Sequence, residues 1–169
     1  MFLEVRSVQR ILKVLPLRLE LIMNEQQNTE LVQQAYAAYG RGDVDYVLGC
    51  MSPDVEWEIP AVPALAFTGK RQGSDQVAEY FRLSGEKQAL REFTPKEFIA
   101  AGDKVIVLGH GAWTAKETGQ DFESDWVHVF TVRDGRIAAF REFMDVHVAV
   151  EAFQCYPLGA GTQARPATH

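Results

Sequence analysis

The segment "DWVHVFTVRDGRIAAFREFMD" (residues 125–145) predicts two antiparallel strands joined by a tight turn. Two runs of apolar and polar residues flank an Asp-Gly pair at 134–135, the dipeptide that two-residue hairpin turns favour. Because side chains alternate between the faces of a strand, His128 and Glu142 each fall on a face that is otherwise apolar. The apolar residues on these two faces are Trp126, Phe130, Ala138, Phe140 and Met144.

The sequence leaves the register of this hairpin open. A strict two-residue turn pairs His128 with Arg141, so that His128 and Glu142 point to opposite sides of the sheet. A bulge or a longer turn shifts the register by one residue and brings His128 opposite or diagonal to Glu142. In that register the pair suits general acid–base chemistry. The alternatives are an ion pair of Glu142 with Arg141 or Arg136 at the surface, and His128 as a hydrogen-bonded core histidine.

The order of the predicted elements indicates an α+β domain. Helical spacing of apolar residues is found over 28–40, where Asn28 is a plausible N-cap, over 43–48 and over 74–85. Hairpin-linked strands dominate from residue 92 to 144, with Pro95 suggesting an edge position or a bulge. Helices followed by such strands pack on one face of an antiparallel sheet. Gly109 and Gly111 favour a strongly curved sheet that encloses a small-molecule cavity, with the apolar loop 60–69 as its lid or rim.

Composition limits the possible functions. The 169 residues are 47% hydrophobic and 24% charged, which is typical of one globular domain. The net charge of −6 argues against nucleic-acid binding. No apolar run approaches the roughly twenty residues of a membrane-spanning helix. Two cysteines, Cys50 and Cys155, form no disulfide framework and no metal-binding spacing, which favours a cytoplasmic protein.

Three segments of the chain differ in composition. Residues 1–23 carry a net charge of +2, whereas the remainder has 13 basic and 21 acidic side chains. We interpret 1–23 as an extension, from a non-native start with Met23 as the natural one, or as a short helix or strand lying on the domain or a partner. Residues 24–156 form the predicted domain. The small and polar residues 157–169 form a predicted flexible tail.

Other candidate sites are weaker. His110 lies between two glycines, where a ligand can approach closely or where it packs in the core. Asp145 and His147 resemble half a metal site, but no second pair completes it, so no metal is predicted. The glycines and serines lack the spacing of a phosphate loop or a nucleophile elbow, and no cofactor is predicted. The residues expected to contact a flat or cyclic apolar ligand are Tyr36, Trp57, Phe67, Phe81, His110, Trp126 and Phe140.

Three segments together resemble a known family: "AYAAYGRGDVDYVLGCMSPDVEWEIP", "FTGKRQGSDQVAEYF" and the hairpin. They resemble, over about residues 28–153, the SnoaL-like and ketosteroid-isomerase-related branch of the nuclear-transport-factor-2-like (NTF2-like) superfamily. The resemblance implies a cone-shaped fold in which a strongly curved antiparallel sheet packs against three N-terminal helices. It also implies that the hairpin lines the cavity in the shifted register. A homodimer through the sheet is expected, with Trp113 and Val129 as contacts.

The resemblance also assigns roles within the hairpin. Polyketide cyclases of this family place a general-base Asp after an Arg on the last strand, where Glu142 follows Arg141 here, and a pocket histidine aligns with His128. The Asp-Arg-Asp site of related epoxide hydrolases is absent, because Trp126 and His128 occupy two of its positions. The base of ketosteroid isomerases falls near Ile59, which carries no ionisable group.

Two functional hypotheses follow. In the first, Glu142 abstracts a proton next to a carbonyl group of a cyclic ketone-like metabolite, and His128 hydrogen-bonds the enolate oxygen or shuttles the proton. Isomerisation, cyclisation or dehydration would result. In the second, the domain is a non-catalytic ligand-binding or dimerisation module in which the Glu142 side chain is paired with Arg141 or His128.

Overall fold

The computed structural model describes residues 2–62 and 64–154, with side chains from residue 19 onward. The helices are α1 (Phe2–Gly40), α2 (Val44–Gly49), α3 (Ser74–Lys87) and α4 (His147–Ala152). The strands are β1 (Met51–Ile59), β2 (Gly69–Gln72), β3 (Gln88–Ala101), β4 (Lys104–Ala115), β5 (Asp121–Arg133) and β6 (Arg136–Met144). They form one curved sheet in the order β2-β1-β6-β5-β4-β3, antiparallel except between β1 and β6. The predicted α+β architecture, with its three N-terminal helices and curved sheet, is confirmed.

Helix α1 begins earlier than predicted. It is continuous from Phe2, so the expected N-cap at Asn28 lies inside the helix. Asn28 instead donates its side-chain N–H to the carbonyl of Gly102 (3.2 Å), while the Glu25 carboxylate accepts from the Gly102 N–H (2.8 Å). These two bonds fasten α1 to the β3–β4 turn. The domain boundary at residue 24 stays a prediction, and the predicted tail 157–169 lies outside the described residues.

The β5–β6 hairpin adopts the shifted register. Asp134 (φ 51°) and Gly135 (φ 69°) both have positive φ, as a type I′ turn requires. Ala138 is then skipped, because Thr131 pairs with Ala139 and Val132 with Ile137. Beyond this bulge His128 pairs directly with Glu142. The one extra residue turns Glu142 to the same face as His128.

Close packing of tryptophan rings on β4 explains its two glycines. A Cβ atom on Gly109 would lie 2.1 Å from Cη2 of Trp126, and one on Gly111 would lie 2.3 Å from Cη2 of Trp113. No side chain fits at either position, so the rings lie directly against the strand backbone. The register of β3 also shifts between Pro95 and Glu97, as the predicted bulge requires.

One end of the domain is covered by the loop after β1 together with α4. Val62, Leu65 and Phe67 form a small apolar cluster that packs against residues of α3 and α4. The Thr68 hydroxyl accepts from the Val62 N–H (2.8 Å) and donates to the carbonyls of Val62 and Leu65. These bonds hold the apolar loop in a compact shape. None of the described helices combines the length and apolar character needed to cross a membrane.

Candidate functional site

A cavity of about 110 Å³ lies between the helices and the inner face of the sheet. Its wall is mostly aromatic and aliphatic. Among the described residues that line it, none is Arg or Lys. The predicted site residues on this wall are Tyr36, Trp57, Phe67, Phe81, His128, Phe140 and Glu142. Their roles in catalysis or ligand contact stay predictions.

Three of these residues form a hydrogen-bonded chain. The Tyr36 hydroxyl lies 2.8 Å from Nδ1 of His128, and Nε2 of His128 lies 3.0 Å from Oε1 of Glu142. The side chains of His128 and Glu142 are only 6% and 14% exposed. Helix α1, strand β5 and strand β6 each contribute one member, so the chain depends on the packing of α1 on the sheet and on the register of the hairpin.

The hydrogen-bond pattern assigns the protons of the chain. In the described part of the protein, His128 Nδ1 is the sole hydrogen-bond partner of the Tyr36 hydroxyl. If Nδ1 carried a proton and donated it, the Tyr36 proton would have no acceptor among the described protein groups, which is costly for a buried hydroxyl. We therefore assign Tyr36 as the donor to Nδ1 and the His128 Nε2–H as the donor to Glu142.

Burial keeps the phenols of the cavity protonated. Burial, followed by the nearby charge of Glu142, raises the pKa of Tyr36 far above its ordinary value and the pKa of Tyr39 to about 12. The same two causes raise the pKa of Tyr80 well above its ordinary value. All three phenols therefore remain hydrogen-bond donors across the physiological pH range.

These raised pKa values predict a loss of stability at alkaline pH. Above about pH 10 an unfolded chain releases phenolic protons that the folded chain retains. The contribution of Tyr39 is therefore complete below pH 10 and is lost as the pH rises towards about 12. Urea unfolding from pH 8 to 11 should show a falling free energy of unfolding, with a shallower fall in Tyr39→Phe. An equal slope in Tyr39→Phe and in the exposed control Tyr46→Phe would contradict this prediction.

Two predicted ligand contacts lie off the cavity wall. Trp126 is 2% exposed and lies behind His128, stacked on it at 4.0 Å and 13°. Phe93 stacks on Trp126 at 5.1 Å and 18°, so Trp126 supports the imidazole rather than facing the cavity. His110 lies on the outer face of β4, because the period of two separates it from the inner-facing Gly109 and Gly111. Its Nδ1 is 3.0 Å from the Asp125 carboxylate.

Another expected contact is also corrected. Trp113 was predicted at a dimer interface, but it is 7% exposed and lines the cavity. The two arginines that could have neutralised Glu142 at the surface bind elsewhere. Arg141 pairs with Glu58 (3.5 Å), and Arg136 donates to the carbonyls of Gly49 and Met51. Of the partners predicted for Glu142, His128 is the one that contacts it in the structure.

Sequence reasoning missed Tyr39 as a cavity residue. It lies one helical turn after Tyr36, and residues three apart share a helix face. Both rings contact Phe93, at 5.4 Å from Tyr36 and 5.0 Å from Tyr39. The spacing was visible in the sequence, but it is equally typical of an ordinary core stripe.

The curved sheet, its covering helices and the enclosed cavity define an NTF2-like protein. The SnoaL-like domain family matches residues 32–140, and the chain belongs to this family. An uncharacterized protein of Mycobacterium tuberculosis is 28% identical over 132 residues, covering 78% of this chain and 98% of that protein.

Two solved structures show the same fold. An NTF2-like protein from Burkholderia xenovorans has a TM-score of 0.69 and 32% identity, covering 76% of this chain and 97% of that chain. TerC, co-crystallized with polyporic acid, has a TM-score of 0.70 and 28% identity, covering 76% of this chain and 98% of that chain. The fold of this family includes polyketide cyclases and isomerases.

Proposed function

We propose that the protein is an enzyme that transfers protons on a small cyclic carbonyl compound without a cofactor, with Glu142 as the base. The observation that carries this proposal is the environment of the Glu142 side chain. Its carboxylate faces an apolar cavity and is held there by a single imidazole N–H, with no cation among the described lining residues. A carboxylate with so few donors around it keeps free lone pairs that can accept a proton from a bound ligand.

The proposed step is abstraction of a proton from a carbon next to a carbonyl group. Glu142 takes the proton, the C–H electron pair forms a carbon–carbon double bond, and the carbonyl π pair moves to oxygen. Return of the proton to a different carbon gives an isomer, whereas attack of the enolate on a second carbonyl carbon gives a ring. The aromatic wall excludes water and holds the flat enolate.

Charge and size support a substrate class. A carboxylate without a cationic partner disfavours ligands that carry a carboxylate or phosphate group. A cavity of about 110 Å³ is of the same order as the ~150 Å³ cavity known to hold benzene. We therefore favour compact, uncharged ring ketones. TerC was co-crystallized with polyporic acid, which supports ligand binding within this fold. An acidic ligand is therefore a useful comparison with the uncharged ketones.

Proton exchange in D₂O tests the proposal whatever the final product is, because every route begins with the same proton abstraction. The wild-type protein is incubated with a panel of cyclic ketones, and loss of the α-proton signals is followed by NMR. We expect protein-dependent exchange for uncharged ketones and weaker exchange for analogues that carry a carboxylate. Exchange no faster than in buffer across ketones that measurably bind would contradict the proposal.

A non-catalytic binding module is the second candidate function. It is favoured by the fact that Tyr36, His128 and Glu142 satisfy one another, as buried structural networks do. Under this alternative the ketones bind but do not exchange. The same NMR exchange experiment, made with ketones that bind, therefore separates the two functions.

We also propose that two copies pair through the outer face of the sheet. Cross-strand pairing aligns apolar residues there in two rows: Ile99, Ile106 and Val129, then Leu108, Val127 and Phe143. Leu108 and Phe143 are 37% and 47% exposed, and such a continuous apolar face is typical of an interface. Light scattering should report a dimer for the wild type and a monomer for Leu108→Glu/Phe143→Glu. A wild-type monomer at tens of micromolar would contradict the proposal.

A further inference from the structure

A second group of polar side chains borders the cavity, outside the hydrogen-bonded chain that ends at Glu142. Near the end of helix α3 the buried Ser84 side chain hydrogen-bonds with the hydroxyl of Tyr80. The Ser84 hydroxyl also accepts from Nε2 of Gln88 (3.1 Å), the first residue of strand β3. Tyr80 and Gln88 both line the cavity. The junction of α3 and β3 therefore gives the mostly apolar wall a second polar end.

Gln88 is the member of this group with hydrogen-bonding capacity to spare. Its amide nitrogen is held by Ser84. Within the part of the chain whose side chains are described, no group hydrogen-bonds to its side-chain oxygen, although Gln88 lines the cavity. A carboxamide oxygen carries two lone pairs and accepts from hydroxyl or amide donors. The wall therefore offers a ligand one uncharged acceptor at this end.

The backbone of Gln88 is fixed by two neighbouring elements. Gln88 pairs with Ala115 of strand β4, and the N–H of Lys116 donates to the carbonyl of Lys87 (2.9 Å) at the end of α3. A side chain carried by a paired strand is positioned more precisely than one on a loop. Its amide is oriented in turn by the hydrogen bond to Ser84, so the acceptor is held in place before a ligand arrives.

Stacked aromatic rings connect the two polar ends of the cavity. Ring centroids lie 4.9 Å apart between His128 and Phe140 and 3.9 Å apart between Phe140 and Trp57. A further 5.5 Å leads from Trp57 to Tyr80, so that the rings of His128 and Tyr80 are at most about 14 Å apart. A flat ligand of two fused rings, with one polar group at each end, matches this span and packs against the aromatic wall.

We propose that Gln88 determines specificity by accepting a hydrogen bond from a hydroxyl group of the substrate, while the ketone end of the same molecule lies at Glu142. This inference rests on the proposed function and adds the group that the substrate carries on the ring remote from its ketone. Among the described lining residues none is Arg or Lys, so nothing on this wall favours a carboxylate or phosphate in place of the hydroxyl.

Three matched ketones test the inference. 2-Indanone and 5-hydroxy-2-indanone differ in the remote hydroxyl, and 5-methoxy-2-indanone keeps the oxygen but cannot donate. Exchange of the α-protons in D₂O is followed by NMR, and each ketone is referred to its own rate in buffer. We expect kcat/KM to be about tenfold higher for the hydroxylated ketone than for 2-indanone, with the methoxy compound close to 2-indanone.

Variants at Gln88 connect this preference to the proposed acceptor. Gln88→Met keeps the length of the side chain and removes the acceptor, so the three ketones should become equivalent. Gln120→Met is the control, because Gln120 is exposed in the turn between β4 and β5, and it should keep the preference of the wild type. A preference that is unchanged in Gln88→Met would overturn the role of Gln88.

A binding measurement provides a readout that does not depend on turnover. In Glu142→Gln the Kd of 5-hydroxy-2-indanone should be about tenfold lower than that of 2-indanone, and adding Gln88→Met should remove the difference. Equal kcat/KM for these two ketones in the wild type, with Glu142→Gln inactive, would overturn the role of Gln88 and leave the proposed function standing. A binding preference that depends on Gln88, without exchange above buffer in the wild type, would overturn the proposed function and leave the hydroxyl site standing. No measurable binding of either ketone would overturn the role of Gln88 as well.

Discussion

Glu142→Gln is expected to lower the rate of α-proton exchange about 10²–10⁴-fold while leaving ketone binding within about threefold of the wild type. The amide oxygen still accepts the Nε2–H of His128, so the hydrogen-bonded chain and the packing of the hairpin are retained. The amide cannot take a proton at neutral pH. The loss should therefore appear in kcat and spare KM.

A matched control separates this effect from a general change of charge. Glu123→Gln makes the same chemical change on the neighbouring strand β5, where Glu123 is exposed on the outer face. Its exchange rate should equal that of the wild type. If Glu142→Gln retained the wild-type rate with a ketone that both proteins bind, Glu142 would not be the base.

Gly109→Ala is expected to destabilise the fold by about 3 kcal/mol or more, at the upper end of the usual cost of overpacking. The added Cβ would lie 2.1 Å from the Trp126 ring. That ring has little room to move, because it is 2% exposed and packs against Phe93 and His128. Relief of the clash must displace either the strand or His128, so the hydrogen bond to Glu142 should weaken as well.

Urea unfolding measures this change, and Gly85→Ala is its control. Gly85 lies inside helix α3 with no atom near the position of a new Cβ. Alanine there should stabilise the protein by roughly 0.5–1 kcal/mol through helix propensity. A Gly109→Ala variant as stable as the wild type would contradict the role of Trp126 as the support of His128.

Local sequence patterns were sufficient to predict the fold class. The change from helical spacing to alternation near residue 90 and the Asp-Gly turn at 134–135 are short-range signals, and the structure follows both. Helix α1 is longer than predicted, and Asn28, a favoured cap residue, lies inside it and bonds to the distant Gly102. The same asparagine side chain can cap a helix or form a tertiary hydrogen bond, and the sequence does not distinguish these two roles.

The site needed information that no local pattern carries. The bulge at Ala138 determines whether Glu142 faces the cavity or the solvent, and nothing in its neighbours specifies one extra residue. The sequence therefore left the register open until the family resemblance favoured the shifted one. His110 shows how a local pattern can mislead. Its flanking glycines indicated that a ligand could approach His110 closely. The groups that lie against Gly109 and Gly111 are tryptophan rings, and they are on the opposite face of the strand from His110.

The proposed chemistry depends above all on the proton positions along Tyr36, His128 and Glu142, and ¹⁵N NMR of the His128 imidazole tests them most directly. At neutral pH we predict a protonated Nε2, coupled to the Glu142 carboxylate, and an unprotonated Nδ1 that accepts from Tyr36. In Tyr36→Phe the Nδ1 signal should shift, because its donor is lost. An Nδ1 that carries a proton in the wild type, in either the neutral or the charged imidazole, would contradict the assignment of Glu142 as a base held by a neutral histidine.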